Sequence, residues 1–262
     1  VKDNGVYAQY VPAPLPISGA KPHPARLVES AAMSAVSMPK ATYVPDLPAS
    51  LITSGTISDA QLENIVYAGQ ANEQILPDGE RRGYFIGDGT GVGKGRQIAA
   101  IIMDNIRQGR KKAVWVSKNT NLFADAQRDW ADIGGDKSYF INGKNGDFPK
   151  NPKQWERADG ILFLTYGGLS HSPRNKETTN LDTIVSWLGK DFDGLIAFDE
   201  APEMGNAISL KGKRGTKQPS QKALAGIELQ KRLPNARIVY ASATGATEVS
   251  NLAYATRLGL WG

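Results

Sequence analysis

The glycine-rich segment Gly87-Asp-Gly-Thr-Gly-Val-Gly-Lys-Gly-Arg96 is the strongest indication of the fold. It follows a short apolar run, Tyr84-Phe-Ile86, that is typical of a β-strand, and a helical pattern begins at Lys94. Between a strand and a helix, glycine N–H groups can turn toward an anion, the helix N-terminus adds partial positive charge, and a lysine can reach the outer phosphates. The sequence therefore predicts a phosphate-binding loop whose nucleotide contacts come from consecutive residues: Asp88, Gly89, Thr90, Gly91, Val92, Gly93, Lys94, Gly95 and Arg96.

The loop departs from the strict pattern G-x4-G-K-[ST] at two positions. Asp88 stands where the first glycine is expected, and Gly95 stands where a Ser or Thr hydroxyl would bind Mg²⁺. The dinucleotide-binding pattern G-x-G-x-x-G is an alternative, but every frame through these glycines fails at its last position. A simple glycine turn is the other alternative, and the lysine at a strand-to-helix junction argues against it.

Apolar runs and amphipathic segments alternate along the rest of the chain. Unbroken apolar runs of this kind are typical of strands that are buried on both faces of a parallel sheet. Strands are predicted at residues 84–86, 113–116, 161–164, 195–198 and 237–240, with a weaker one at 139–141. Helices are predicted at residues 94–107, 121–133, 181–188, 221–233 and 250–258, and a capping box of Ser58 and Gln61 starts one more helix of about fifteen residues. This order predicts an α/β fold with a mostly parallel central sheet between helices.

Composition excludes several classes of protein. Hydrophobic residues make up 40% and charged residues 22% of the 262 residues, as in a folded globular domain. With no cysteine and two histidines, the chain offers no thiolate nucleophile, disulfide framework or Cys/His zinc site, whereas carboxylates could still bind Mg²⁺. The longest aliphatic run, residues 98–103, is too short to span a bilayer, so we expect no membrane partner and a cytoplasmic or nuclear location.

The first 50 residues differ in composition from the rest of the chain. Eight of the fifteen prolines lie there, and no helical or strand period is sustained. We expect a proline-rich extended arm at residues 1–50 and a single nucleotide-binding lobe at residues 51–262.

Two further motifs follow predicted strands. Asp199 and Glu200 come directly after an apolar run, and Ser242-Ala-Thr244 follows another. In phosphate-loop hydrolases the first acid holds Mg²⁺ through water and the second polarises the attacking water. Acidic pairs also cap helices and small hydroxyl residues also cap turns, so each motif alone is ambiguous. In this order, after a glycine-rich lysine loop, they match motifs I, II and III of superfamily 2 helicases and translocases.

Four stretches resemble the Strawberry notch family of helicase-like proteins. They are residues 87–96, Asp191-Phe-Asp-Gly-Leu-Ile-Ala-Phe-Asp-Glu200, Arg237-Ile-Val-Tyr-Ala-Ser-Ala-Thr-Gly245 and Arg257-Leu-Gly-Leu-Trp-Gly262. The resemblance covers residues 22 to 262, and the unusual Gly-Lys-Gly belongs to the family's pattern. It implies a P-loop NTPase with a RecA-like three-layer sandwich that binds ATP and Mg²⁺. By position it implies catalytic roles for Lys94, Asp199 and Glu200, a place for Mg²⁺ on Asp199 through water, and a coupling role for Ser242 and Thr244.

The resemblance also implies contacts to the adenine base and to nucleic acid. Gln61 takes the position of an adenine-reading glutamine, with Tyr43 as its aromatic partner, while the capping box is the alternative role of the same side chain. Nucleic-acid contacts are expected at strand ends and in the basic stretch after Glu200: Ser117, Lys118, Asn119, Thr165, Tyr166, Lys211, Lys213 and Arg214. For the basic stretch, a solvated loop is the alternative.

We therefore expect the ATP-binding first lobe of a superfamily 2 nucleic-acid-dependent ATPase of Strawberry notch type, with DNA rather than RNA as its partner. The longer protein is expected to carry a second RecA-like lobe, and the methyltransferase module that some bacterial and phage relatives carry is a further expected partner. A bacterial or phage origin is expected, and a eukaryotic member would be nuclear. The alternative function is a nucleotide-dependent protein-interaction module that does not translocate. Pro202 replaces the family's usual His or Asp in motif II, which leaves the coupling to a second lobe open.

Overall fold

The structure is a computed structural model that describes residues 7–9, 15, 17–19, 28–30, 39–87, 93–143, 159–172, 178–205, 210–212, 215–217, 220–243 and 252–259. Ten strands occur within these residues: β1 (Tyr7–Gln9), β2 (Val28–Ser30), β3 (Tyr84–Ile86), β4 (Lys112–Ser117), β5 (Phe140–Asn142), β6 (Gly160–Thr165), β7 (Leu195–Phe198), β8 (Leu210–Gly212), β9 (Gly215–Lys217) and β10 (Arg237–Ala241). The α-helices of the same residues are α1 (Ala49–Thr53), α2 (Asp59–Asn72), α3 (Lys94–Arg107), α4 (Leu122–Asp132), α5 (Tyr166–Ser170), α6 (Asn180–Leu188) and α7 (Gln221–Arg232).

Six strands form one parallel sheet in the order β3-β10-β7-β4-β6-β5. Phe198 pairs with Val116 of β4 and with Tyr240 of β10, so β7 lies in the middle of the sheet. Because every strand runs the same way, all the carboxyl ends lie at one edge, where ligands bind in open α/β sheets. The predicted α/β fold with a parallel central sheet is confirmed.

Helices cover both faces of this sheet and make three layers. Trp115, Ala197 and Val239 point to one face and pack with α2, α3 and α4. Their strand neighbours, such as Ile196 and Tyr240, point to the other face and pack with α5, α6 and α7. Because both faces are buried, the strands are continuous apolar runs without a polar side, which made them visible in the sequence.

The predicted strands and all but one of the predicted helices begin and end within one residue of their observed bounds. The exception is the helix predicted at residues 250–258, which is wrong for the part that the structure describes. A 3-10 helix of three residues, Thr256–Leu258, is present there instead. In an α-helix the Tyr254 carbonyl would accept from residue 258, but it accepts from the side chain of Gln230 at 2.9 Å. A long-range side-chain contact therefore replaces the local helix.

Residues 39–48 are extended and lie against α2 and α3. The backbone N–H of Thr42 donates to Gln70 of α2 at 2.8 Å, and that of Asp46 donates to Asp104 of α3 at 2.6 Å. Further back, β1 and β2 form an antiparallel pair that was not predicted. The extended character of this segment fits the expected arm, and the division at residue 50 between arm and lobe stays a prediction.

No helix in the described parts of the chain combines the length and the apolar content needed to cross a membrane.

Candidate nucleotide-binding site

The ends of four neighbouring strands bring the predicted motifs together. The N–H of Ser242 donates to the carbonyl of Ile86 at 3.0 Å, and the N–H of Asp199 donates to the carbonyl of Val116 at 2.8 Å. Each bond extends the parallel ladder one residue past the strand. The glycine-rich stretch, Ser242, Asp199 and Ser117 thus follow four adjacent strands at one edge of the sheet.

The described part of the glycine-rich stretch places a glycine and a lysine at the start of α3. Gly93 has φ 70° and ψ 64°, a left-handed conformation that favours glycine, and no side chain caps the helix. Lys94 is the first helical residue, so it stands at the positive end of the helix dipole. Asp88, Gly89, Thr90, Gly91 and Val92 lie outside the described residues, and their contacts stay predictions.

Gln61 can serve in both of the roles considered for it. Its side-chain oxygen accepts from the N–H of Ser58 at 3.0 Å, and its own N–H donates to the Ser58 hydroxyl at 3.3 Å. The capping box is thereby confirmed. The amide nitrogen faces Gly93, since a Cβ built on that glycine would lie 2.7 Å from Nε2. The two roles use opposite ends of one amide, and adenine binding stays a prediction.

Tyr43 is not placed to stack on a base beside Gln61. Its hydroxyl donates to Asp104 at 2.5 Å, and its ring packs on Gly69. Asp104 is ten residues after Lys94 on α3, so this contact lies about 15 Å from the head of the helix. The expected pairing of Tyr43 with Gln61 is wrong because the ring is used to attach the extended segment to the lobe.

Gly95 lies against the carboxylate of Asp129, a contact that no sequence motif indicated. A Cβ on Gly95 would collide with the carboxylate of Asp129, which comes from α4. Asp129 is half-buried, and this burial raises the pKa of its carboxyl. In this structure the Asp129 carboxylate therefore occupies the space that a Ser or Thr side chain at residue 95 would take.

Arg96 directs its side chain away from the helix start. The guanidinium donates to the carbonyl of Thr56 at 2.9 Å and pairs with Asp132 at 3.0 Å. These contacts engage the Arg96 side chain elsewhere, and the expected phosphate contact of this residue stays a prediction. The backbone N–H of Arg96 still belongs to the first turn of α3, where N–H groups have no partner within the helix.

Asp199 is close enough to Lys94 for their charges to interact, and two donors hold its carboxylate. The indole of Trp115 donates to Oδ2 at 3.3 Å, and the N–H of Glu200 donates to Oδ1 at 2.9 Å. Burial raises the pKa of Asp199 to about 6, although the Trp115 bond and the charge of Lys94 oppose this shift. A cation bound here would favour the charged carboxylate. Trp115 had no sequence signal beyond its place in an apolar run.

Glu200 has a backbone conformation that non-glycine residues rarely adopt. Its φ is 47° and its ψ is 49°, and among the described residues it is the only non-glycine with positive φ. Such strain is concentrated at functional sites. A 3-10 helix, Ala201–Met204, follows, in which Pro202 is exposed at the second position and fits without strain.

Two residues expected to contact nucleic acid are buried. Ser117 and Tyr166 each have no exposed surface. The Tyr166 hydroxyl donates to the backbone carbonyl of Asp199 at 2.7 Å, and its ring stacks on Phe198. These two expectations are wrong because both side chains point into the fold. Tyr166 instead supports the backbone of Asp199 from the opposite face of the sheet.

Three of the other residues expected to contact nucleic acid follow or end strands at the same edge of the sheet. Lys118 is exposed, Asn119 accepts from the N–H of Asn121 at 3.1 Å, and Thr165 accepts from the N–H of Gly168 at 3.0 Å. Lys211 belongs to the antiparallel pair β8 and β9. The structure does not describe Lys213, Arg214 or Thr244, and Ser242 is buried at its strand end.

The fold is shared with a solved helicase. The crystal structure titled DUF1998 helicase MrfA bound to DNA matches 99% of this chain and 30% of that chain, with a TM-score of 0.54 at 16% sequence identity. At that identity the likeness shows a common fold.

Sequence comparisons identify the family. Residues 22–262 match the family described as P-loop containing NTP hydrolase pore-1. The strawberry notch homolog of Caenorhabditis elegans is 44% identical over 98% of this chain, and the human strawberry notch homolog 1 is 42% identical over the same share. The chain spans only 14% and 18% of these two proteins. The expected bacterial or phage origin finds no support among these animal relatives. The chain belongs to the family described as P-loop containing NTP hydrolase pore-1, and nearly its whole length is similar to strawberry notch proteins.

Proposed function

We propose that this chain is the ATP-binding first lobe of a superfamily 2 motor whose ATPase activity depends on nucleic acid. One observation supports this more than any other. Lys94 at an open helix N-terminus and Asp199-Glu200 at the end of a nearby strand share one edge of the sheet, on the face that α3 covers. This is the arrangement that phosphoryl transfer needs, because its catalysis rests on positioning and charge stabilisation.

The residues present fit ATP and Mg²⁺. Lys94 would bind the outer phosphates, and Asp199 would hold Mg²⁺ through water, since carboxylate and water oxygens are the ligands this ion prefers. When bound, Mg²⁺ would neutralise part of the negative charge of the phosphates. Gln61 is the candidate for binding the adenine base of ATP, through the side-chain amide nitrogen that faces Gly93.

Glu200 would orient the attacking water and accept its proton. Its left-handed backbone lets the chain turn into the 3-10 helix directly after Asp199, so adjacent carboxylates can take separate positions. Ser242 and Thr244 would transmit the nucleotide state to a second lobe. The bond of Ser242 to Ile86, one residue before the glycine-rich stretch, supports that role.

Nucleic acid would bind at the same edge of the sheet through Lys118, Asn119, Thr165 and the basic stretch 211–214. The solved helicase of the same fold is bound to DNA, which favours DNA as the partner. The relatives are several times longer than this chain, which leaves room for a second lobe and for a methyltransferase module.

The test is the ATPase rate of the longer protein with and without DNA or RNA. We expect nucleic acid to raise the rate and Glu200→Gln to abolish the increase while nucleotide binding remains. A rate that nucleic acid leaves unchanged, with ATP still bound, would instead favour a nucleotide-dependent protein-interaction module.

Lys94→Ala is expected to weaken ATP binding by at least tenfold. A charge-assisted contact to phosphate contributes about 1.5–3 kcal/mol, and 1.4 kcal/mol corresponds to a factor of ten. Calorimetry on the 262-residue chain measures the change. Lys190→Ala is the matched control, because Lys190 is exposed in the turn before β7, at the opposite edge of the sheet. Equal affinities for all three proteins would refute the phosphate loop.

Replacing Lys211, Lys213 and Arg214 together with alanine is expected to weaken binding to all nucleic-acid sequences alike. Each lost phosphate contact removes about 0.7–0.9 from the slope of log affinity against log salt, so the slope should flatten by about two to three units. Fluorescence anisotropy with single-stranded and duplex oligonucleotides measures it. Lys111, Lys190 and Lys231, which are exposed and distant from this edge, form a control triple with the same charge change. An unchanged slope in the first triple variant would identify the stretch as a solvated loop.

A further inference from the structure

The buried hydroxyl of Ser117 makes no hydrogen bond to the described part of the fold. Ser117 ends β4, has no exposed surface, and its Oγ has no hydrogen-bond partner in the structure as far as that is described. Buried polar groups nearly always have a partner, because an unpaired one loses its bonds to water without compensation. A hydroxyl left in this state calls for a role in another state of the protein.

The register of the sheet places this hydroxyl beside Asp199. Phe198 pairs with Val116, so the next residues on the two strands, Asp199 and Ser117, stand side by side. Neighbouring strands lie about 4.8 Å apart. Both side chains lie on the face of the sheet that α3 covers. Ser117 is on the same side of β4 as Ala113 and Trp115, and Asp199 accepts a hydrogen bond from Trp115.

The carboxylate of Asp199 can accept a further bond. Each of its oxygens has one donor, the Trp115 indole on Oδ2 and the Glu200 N–H on Oδ1. A carboxylate offers about four acceptor positions. Ser117 is therefore the neighbouring donor with a free hydrogen, and Asp199 is an acceptor with free capacity.

Gly95 explains why an additional hydroxyl would be useful. The residue after the loop lysine usually supplies a hydroxyl to Mg²⁺, but at Gly95 that space is filled by the carboxylate of Asp129. The head of α3 therefore contributes no hydroxyl at this position. Ser117 ends β4, which is separated from β3 by β10 and β7, and it lies beside the acidic pair at the end of β7.

We propose that Ser117 is a positioning residue for Asp199, whose hydroxyl donates to the carboxylate and holds it in the orientation that binds the Mg²⁺-nucleotide. Ser117 thereby compensates, through Asp199, for the hydroxyl missing at Gly95. The inference rests on the nucleotide site proposed above.

The test compares nucleotide binding with Mg²⁺ and with EDTA. Wild type, Ser117→Ala and Tyr254→Phe are titrated with a non-hydrolysable ATP analogue by calorimetry, and their melting temperatures are measured. Tyr254→Phe is the matched control, since it also removes a buried hydroxyl without a described partner, on the opposite face of the sheet. We expect Ser117→Ala to melt no lower than wild type and to lose about three- to tenfold in affinity with Mg²⁺, with no loss in EDTA. Tyr254→Phe should match wild type in both titrations.

Two results would overturn the assignment. If the affinity of Ser117→Ala for the ATP analogue depended on Mg²⁺ as in wild type, Ser117 would have no role in positioning Asp199. If Ser117→Ala lost the same affinity with Mg²⁺ and with EDTA, the substitution would act on the shape of the pocket and not on Asp199. Failure of the proposed function is distinct from both, because wild type itself would then bind no nucleotide in either titration.

Discussion

Arg257→Ala is expected to lower the free energy of unfolding by about 3–5 kcal/mol. Arg257 is fully buried and pairs with Glu80 at 2.5 Å. Its guanidinium also donates to four backbone carbonyls at 2.6–3.0 Å, those of Arg81, Gln230, Leu233 and Ala236. One side chain thus joins the segment before β3, the end of α7 and the start of β10. Removing it leaves buried carbonyl acceptors without donors and the Glu80 carboxylate without its partner. Removing only one member of such a pair lowers stability strongly, because the other member stays buried and unpaired.

Urea denaturation of the 262-residue chain measures this loss. Arg128→Ala is the matched control: Arg128 also pairs with a carboxylate, that of Asp125, but both side chains are largely exposed. An exposed pair of this kind contributes about 0.2–1 kcal/mol. Similar small losses for the two variants would contradict the view that the Arg257 network holds the C-terminal segment on the lobe.

The layers of the fold could be predicted because they depend on local pattern. The strand Leu195–Phe198 and the helix Lys94–Arg107 have the bounds expected from the sequence. A strand that is buried on both faces must be apolar throughout, and a helix that covers a sheet must repeat its apolar residues every turn. The motif order could be predicted for the same reason, since each motif directly follows such a strand.

The details of the site depend on contacts between distant residues, which local pattern does not encode. Trp115 reaches Asp199 across 84 residues of sequence, and Asp129 meets Gly95 from another helix. Ser117 and Tyr166 were expected at the nucleic-acid surface because one ends a strand and the other directly follows one. Both side chains point inward instead, and only the arrangement of the sheet shows what they face.

ATP turnover by the 262-residue chain alone is expected to fall about 10³–10⁵-fold below that of the longer protein with nucleic acid. In the proposed site, Lys94, Asp199 and Glu200 would bind and orient the nucleotide from one side only. An arginine finger from a second lobe would stabilise the developing charge of phosphoryl transfer from the other side, and the loss of such a finger in well-studied GTPases costs this much. Pro202 adds to the expectation, because a proline ring offers no side-chain polar group to link motif II with a second lobe.

Single-turnover and steady-state phosphate release measure this rate in both proteins under the same Mg²⁺ concentration. The nucleotide affinity of the two should differ little, because the phosphate loop and the acidic pair lie within the lobe; this separates slow chemistry from weak binding. The Lys94→Ala variant of the longer protein gives the baseline rate of phosphate release without a functional phosphate loop. If the 262-residue chain released phosphate at several turnovers per second, well above that baseline, then the lobe would contain its own charge stabilisation. The exposed residues around Lys118 would then have to be examined for a cation that acts in place of the finger.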